Sequence, residues 1–355
     1  MKKTAPRKTG QQVRSEIQTE MTERIVAALK LGKAPWRKPW ATDPNAGRWT
    51  NIHSKKMYRG INVLLLECTA MDMGFNHRWW GTYKQWADLG CQVKKRPEDA
   101  KYWGTRIVFW EFKEIKSKDD DEDGEKKTPK KVPFLRTYVV FNLEQVDDPD
   151  GKLAKYRIDE KASALIDPKA VDDPIFDMAK EVIAGTKADI RHGGDRAFYR
   201  LPTPYEDWPK HTEGDWINVP EPAMFVSPAD YYYTNFHELG HWSEVRLGQK
   251  DEKYAFNELV AEMASCFLAQ ACAIPQSQVM DNHERYLAHW LQAMGGDPSF
   301  IFKASSAATK ATDLILSYSG HQEAVGNGGD NGGDNEDDDE QPAKPKGKSR
   351  KAKAA

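Results

Sequence analysis

The sequence predicts a two-domain α+β protein: a small α+β domain in the first half, then a mainly helical domain with a small sheet. Three observations predict it. The 355 residues suffice for two hydrophobic cores. The first half mixes helical periodicity with two long runs of β-branched and aromatic residues, whereas helical runs dominate the second. Composition shifts at residues 149–173, which read as a connector, and again from about residue 321, where the chain turns polar and charged.

Residues 1–12 are basic and polar and are expected to be loose. A helix is predicted next, with Val13, Ile17, Met21, Ile25 or Val26, and Leu29 on one face and Gly32 as its stop. The Pro-Trp-rich run Ala34–Trp40 cannot continue it. Asn62–Met73 and Thr82–Leu89 read as helices. Thr105–Glu114 and Arg136–Leu143 read as two strands of one antiparallel sheet. The polar insert between them, 116–131, has no core-forming residues and reads as a solvated hairpin extension. The first domain is therefore drawn as 13–148.

In the second domain, drawn as 174–320, a helix is predicted over Pro174–Ile183. Short strands follow at Ala197–Leu201 and Asp215–Val219, with Trp216–Val219 expected as an edge against which a peptide pairs. Next come a helix bearing two histidines, a long apolar helix over Tyr254–Ala273, and another over Asn282–Met294. Residues 321–355 run from Gly, Asn and Asp through an acidic stretch to a basic end. They cannot bury enough apolar surface to fold and are expected to be disordered.

Lys plus Arg (52) nearly balance Asp plus Glu (54), so net charge says nothing about nucleic acid and only its distribution can. The four cysteines, Cys68, Cys91, Cys266 and Cys272, lack metal-binding spacing, and the last two lie in an apolar helical run as expected core thiols. The basic start is not followed by an apolar stretch, and no run approaches the length of a membrane span. A cytoplasmic protein without a membrane partner is expected.

His237-Glu238-Leu239-Gly240-His241 carries the chemistry. On a helix, residues four apart share a face, so His237 and His241 can reach one ion with Glu238 beside it. Zinc held this way polarises water and carbonyl groups, and the neighbouring carboxylate is the candidate catalytic base. One zinc per chain is expected. Glu258 and Glu262, four apart on a following helix, both can point at the site, leaving a fourth position open. Glu258-Leu259-Val260-Ala261-Glu262 resembles the Glu-x-x-Ala-Asp helix of zincins. That resemblance implies Glu258 as the third ligand and Glu262 as the acid that orients a ligand histidine, with Glu262 as the alternative ligand. Gly240 between the histidines suits close packing on the next helix. The run Tyr231-Tyr232-Tyr233 and His211 are candidates to stabilise an oxyanion, and spacing selects none of them. His53, His77, His192, His283 and His289 read as ordinary histidines.

Eight of the twelve tryptophans lie before residue 111, many beside cations, which is the mixture a single-strand groove uses: aromatic faces for bases, cations for phosphates. The expected DNA contacts are Trp36, Arg37, Lys38, Trp40, Arg48, Trp49, Arg59 and Lys84. Trp86, Trp103 and Trp110 are expected in the core.

Ala34–Trp40, Tyr58-Arg59-Gly60-Ile61-Asn62-Val63-Leu64-Leu65-Leu66, Thr82-Tyr83-Lys84-Gln85 and Val140–Val146 resemble the N-terminal domain of the ArdC antirestriction family, which also occurs in TraC-type conjugative primases. Ala197-Phe198-Tyr199, Phe236–Trp242 and Glu258–Glu262 are similar to that family's zincin-like metallopeptidase domain. Together these cover roughly residues 13–320. The resemblance implies a non-specific single-stranded-DNA-binding domain joined to a zinc metallopeptidase domain in a protein of plasmids and phages that shields incoming DNA from host restriction. Its implied partners are single-stranded DNA and a protein substrate, with a host restriction component as the candidate. The alternative is a DNA-coating protein that protects by occupancy, its zincin domain being structural or a docking module. One departure is Val93-Lys94-Lys95-Arg96-Pro97-Glu98-Asp99, where the family has a Lys-Gly-Glu-Lys-Gly type turn.

Overall fold

The computed structural model describes residues 10–35, 45, 47–98, 103–115, 130–158, 170–201, 214–248, 254–274 and 283–321. The calls on the N-terminal residues 1–9, the Pro-Trp run from residue 36, most of the polar insert, His211 and the tail from residue 322 lie outside them.

The first domain runs α1 (Gly10–Lys30), β1 (Thr50–Asn51), α2 (Ile61–Met73), β2 (Trp79–Thr82), α3 (Tyr83–Asp88), β3 (Gln92–Val93), β4 (Thr105–Ile115), β5 (Lys130–Asn142) and β6 (Val146–Asp147). Its main sheet has the order β1-β2-β5-β4, with β1 parallel to β2 and the other pairs antiparallel. β4 and β5 stay in register from Thr105↔Val140 to Ile115↔Lys130. The strand therefore takes in Lys130 and Lys131, assigned above to the polar insert, because the backbone ladder continues regardless of side-chain polarity. α2 is buried from Ile61 through Ala70, as suits a helix that is apolar all round and packed between β4, α1 and α8 (Phe300–Ser317). Asn62 locks it to the sheet through a reciprocal pair of 2.8 Å bonds with the Val108 backbone. A smaller core of Ile52, Trp86, Cys91, Leu143, Val146 and Leu153 closes the far end beside the β3–β6 pair.

The second domain holds α4 (Asp177–Thr186), β7 (Ile190–His192), β8 (Phe198–Arg200), β9 (Trp216–Val219), α5 (Pro228–Arg246), α6 (Tyr254–Ala271), α7 (His283–Gly296) and α8. α5, α6 and α8 pack on one another, and α5 also meets β8 and β9. α8 and β7 have no counterpart among the predicted elements. All four cysteines are buried and free, with Cys266 and Cys272 in the core as expected. No helix among the described residues is long and apolar enough to cross a membrane.

The two domains share one continuous core. The seam is also polar: Thr22 Oγ1 donates to Pro298 O (2.7 Å), Gly60 N–H to Thr309 Oγ1 (3.1 Å), and Arg59 pairs with Asp313.

Candidate metal centre and nucleic-acid surface

α5 starts sharply. Ser227 accepts from the Asp230 N–H while the Asp230 carboxylate accepts from the Ser227 N–H, and Pro228 occupies the first helical position. One face of the helix buries Phe236, Leu239 and Trp242. Gly240 lies against α6: a Cβ built there would come within 2.8 Å of Ala261 Cα, a backbone atom with nowhere to go. Only glycine lets the two helices approach this closely, and that approach brings the α6 carboxylates to the α5 imidazoles. Gly240→Ala is expected to lower stability despite the ~1 kcal/mol that alanine adds in helix propensity, since overpacking a core costs about 1–3 kcal/mol. Metal affinity should fall with it. Thermal melting with and without added metal checks both, and an unchanged melting temperature would mean that the helices part freely.

Three side chains converge. His237 Nε2 and His241 Nε2 lie 3.2 Å apart, and the Glu258 carboxylate lies 3.6 Å from each. The other ring nitrogens face acids: His241 Nδ1 meets Glu244 Oε1 at 2.9 Å, and His237 Nδ1 lies 3.8 Å from Glu262 Oε2. Carboxylates at both Nδ1 atoms favour the Nδ1–H tautomers, which aim two Nε2 lone pairs at one point. Two nitrogens 3.2 Å apart need either a proton shared between them or a cation that takes both lone pairs. Donors about 2.0–2.2 Å from a tetrahedral ion sit roughly 3.3–3.6 Å from one another, so this set fits zinc or a similar divalent ion. Among the described residues, His237, His241 and Glu258 form the one such cluster, with ligand atoms all within 4.8 Å.

Glu244 was missed by the sequence reading, although a residue three after His241 on a helix is its neighbour. Burial pushes the His241 pKa down, but the hydrogen bond and charge of Glu244, then the charges of Glu238 and Glu258, outweigh it and carry the group to about 9. Without metal, the charged His241–Glu244 pair contributes stability below the ordinary histidine pKa, and that contribution is lost as pH rises through about 9. An entering metal ion must displace this proton. Apparent metal affinity is thus expected to rise about tenfold per pH unit up to about 9 from this group alone. Titrations across that range would show a flat profile if His241 carries no such proton.

Glu238 is 6 % exposed. Burial raises its pKa, opposed by the neighbouring imidazoles and helped by Glu258, and it accepts a hydrogen bond from the Tyr199 N–H. For Glu258, burial acts upward, yet the adjoining His237 and His241 imidazoles bring the net shift below the ordinary carboxylate value. The two acids thus shift in opposite directions, Glu238 upward and Glu258 downward.

The sheet beside the centre corrects one expectation. Its order is β7-β9-β8, so Trp216–Val219 is the central strand and offers no edge. The Ile217 N–H bonds to Asp189 O on the β7 side. Tyr199, opposite Ile217, therefore directs its N–H away from β9 and toward Glu238. Among the described residues, the sheet edge near the centre belongs to β8. Of the oxyanion candidates, Tyr232 and Tyr233 are buried, and the Tyr231 hydroxyl lies 3.0 Å from His192 Nε2.

The expected DNA contacts fare unevenly. Trp36, Arg37, Lys38 and Trp40 lie outside the described residues. Trp49 does not offer a face to a base: it is 1 % exposed, packs edge-on to Trp80 and donates from Nε1 to Glu67 (2.9 Å). Arg48 is buried as well, 6.0 Å above the Phe267 ring across the domain seam. A carboxylate and an aromatic ring distant in sequence make these burials possible, which local composition does not reveal. Arg59 is committed to Asp313, whereas Lys84 is exposed on α3. Trp86 is core as expected, and Trp103 is half-buried, donating from Nε1 to Lys94 O.

Two helices offering a His-His-Glu set beside a small sheet, behind an α+β domain, define a protein with a zincin-like metallopeptidase domain. Residues 177–307 match the zincin-like metallopeptidase family, and residues 15–141 match the N-terminal domain of anti-restriction factor ArdC. The chain belongs to the ArdC-type antirestriction family. Crystal structures of the antirestriction ArdC protein from R388 plasmid are similar at 32% identity. The metal-free one has a TM-score of 0.64 over 86% of this chain and 98% of that one. The Mn(II)-bound one has a TM-score of 0.61 over 85% and 97%. Protein y4eC of Sinorhizobium fredii is 31% identical over 86% of this chain and 92% of its own length. A DNA primase TraC of Escherichia coli is 33% identical over 88% of this chain, which spans only 28% of that primase.

Proposed function

We propose that this chain is an antirestriction protein of a mobile element that binds single-stranded DNA non-specifically through its first domain and hydrolyses a peptide bond at its second. The observation that carries the peptidase reading is the convergence of two Nε2 lone pairs and the Glu258 carboxylate with Glu238 beside them. His237, His241 and Glu258 would hold one zinc, which when bound supplies Lewis-acid polarisation of water and of the scissile carbonyl. Glu238 takes the proton of the attacking water and returns it to the leaving amine, a role suited by its upward-shifted pKa. Glu262 and Glu244 orient the two imidazoles. The β8 edge lies beside Glu238, so a peptide added to that edge in extended form passes the centre. The protein substrate proposed is a component of the host restriction machinery.

The test is a restriction-protection assay comparing wild type with Glu238→Gln, with metal content measured alongside. Lost protection with retained metal supports a proteolytic route. Full protection by the variant would leave occupancy of the DNA as the mechanism.

A further inference from the structure

The first domain carries a cation–aromatic cluster on its surface, built by residues outside the expected DNA contacts. Trp79, at the start of β2, and Tyr156, in the turn after β6, are half-buried and meet edge-to-face at 5.1 Å. Lys55 Nζ lies 5.0 Å from the Trp79 ring centre and 4.2 Å from that of Tyr156, whose hydroxyl it also meets at 2.9 Å. The Arg78 guanidinium lies 5.3 Å over Trp79, and Lys155 Nζ 5.1 Å over Tyr156. Segments 52–58, 77–80 and 153–158, which build this surface, hold no carboxylate.

The cluster is held rigidly. Asn51, itself buried, accepts from the His53 and Ser54 N–H groups and shapes the tight turn that carries Lys55. Lys55 sits at φ 60, a left-handed conformation that disfavours a non-glycine residue. Trp79 Nε1 donates to Asn45 Oδ1 (2.9 Å), and the Asn45 amide donates to the carbonyls of Lys155 and Arg157. One asparagine thus ties together the ring plane, the basic turn and the chain emerging from the Pro-Trp-rich run. A structural core needs no cation over each ring, nor a lysine where glycine is favoured. Half-exposed rings flanked by cations suit a ligand with flat apolar faces and regularly spaced negative charges.

We propose that Trp79 and Tyr156, with Lys55, Arg78 and Lys155, form a subsite for single-stranded DNA. A base stacks against the exposed parts of the two rings, and the flanking phosphates meet the three cations. This rests on the single-strand-binding reading above and gives it a place. The full-length chain is titrated with a fluorescent oligothymidylate at several salt concentrations. Lys55→Gly is informative because glycine suits the left-handed turn, so lost affinity there does not report lost folding. Lys55→Gly and Lys155→Ala are each expected to lower affinity and to shallow the slope of log affinity against log salt by about 0.7. Tyr156→Ala is expected to weaken binding on the order of 5- to 150-fold with the slope nearly unchanged. Wild-type binding that none of the three substitutions alters overturns the subsite and leaves the single-strand reading standing. Wild type that fails to bind the oligonucleotide overturns both.

Discussion

Glu238→Gln is expected to lower peptide-bond hydrolysis by about 10²–10⁴-fold, the usual contribution of a positioned general acid–base. Glutamine keeps the size and the hydrogen-bond acceptor that the Tyr199 N–H uses, but it cannot take a proton. Metal content and melting temperature should therefore stay close to wild type, since neither His237 nor His241 relies on Glu238 for its Nδ1 partner. In wild type, activity should appear as pH rises past the raised Glu238 pKa, because the base must be ionised to accept the proton of water. The glutamine variant should lack that rise. Turnover of an unfolded protein substrate, measured across pH with metal quantified in both proteins, checks this. Equal turnover would remove Glu238 from the chemistry.

How much of this was legible depends on whether the signal is local. His237, Glu238 and His241 share one helix, so their spacing states their geometry, and Glu258 and Glu262 needed only a second helix packed nearby. Gly240 likewise signalled close packing, which Ala261 accounts for. Glu244 was readable three residues after His241 but was overlooked. Strand order was not readable: β9 is central because β7, three residues long, pairs with it in parallel, a contact between segments far apart in sequence. Trp49 was misread for a similar reason. Its neighbourhood is basic and loop-like, yet Glu67 on α2 accepts its indole N–H and Trp80 covers its ring. The surface cluster was also hidden, because Lys55, Trp79 and Tyr156 come from three separated segments. α8 was missed although Ile301, Ala304, Ala308, Ala311 and Ile315 keep a helical period, since small residues give a weak apolar signal.

The metal set gives the second large effect. Glu258→Ala is expected to empty the centre, as are His237→Ala and His241→Ala. The Glu258 carboxylate is the acid placed 3.6 Å from both Nε2 atoms, so its loss leaves two imidazoles without an anionic donor. Glu262 approaches His237 only from the Nδ1 side, at 3.8 Å, and Glu244 meets His241 Nδ1 at 2.9 Å. Glu262→Ala and Glu244→Gln should therefore retain metal with affinity weakened by about 10–100-fold, as changes to groups that orient ligand histidines do. The loss on Glu258→Ala should exceed that range. Competition titrations against a fluorescent chelator, with zinc and manganese run separately, read all five variants on one scale. An empty centre in Glu262→Ala with metal retained in Glu258→Ala would exchange the roles of the two acids. Retention in both histidine variants would remove the metal from this site, and with it the separation of Glu238 and Glu258 into base and ligand.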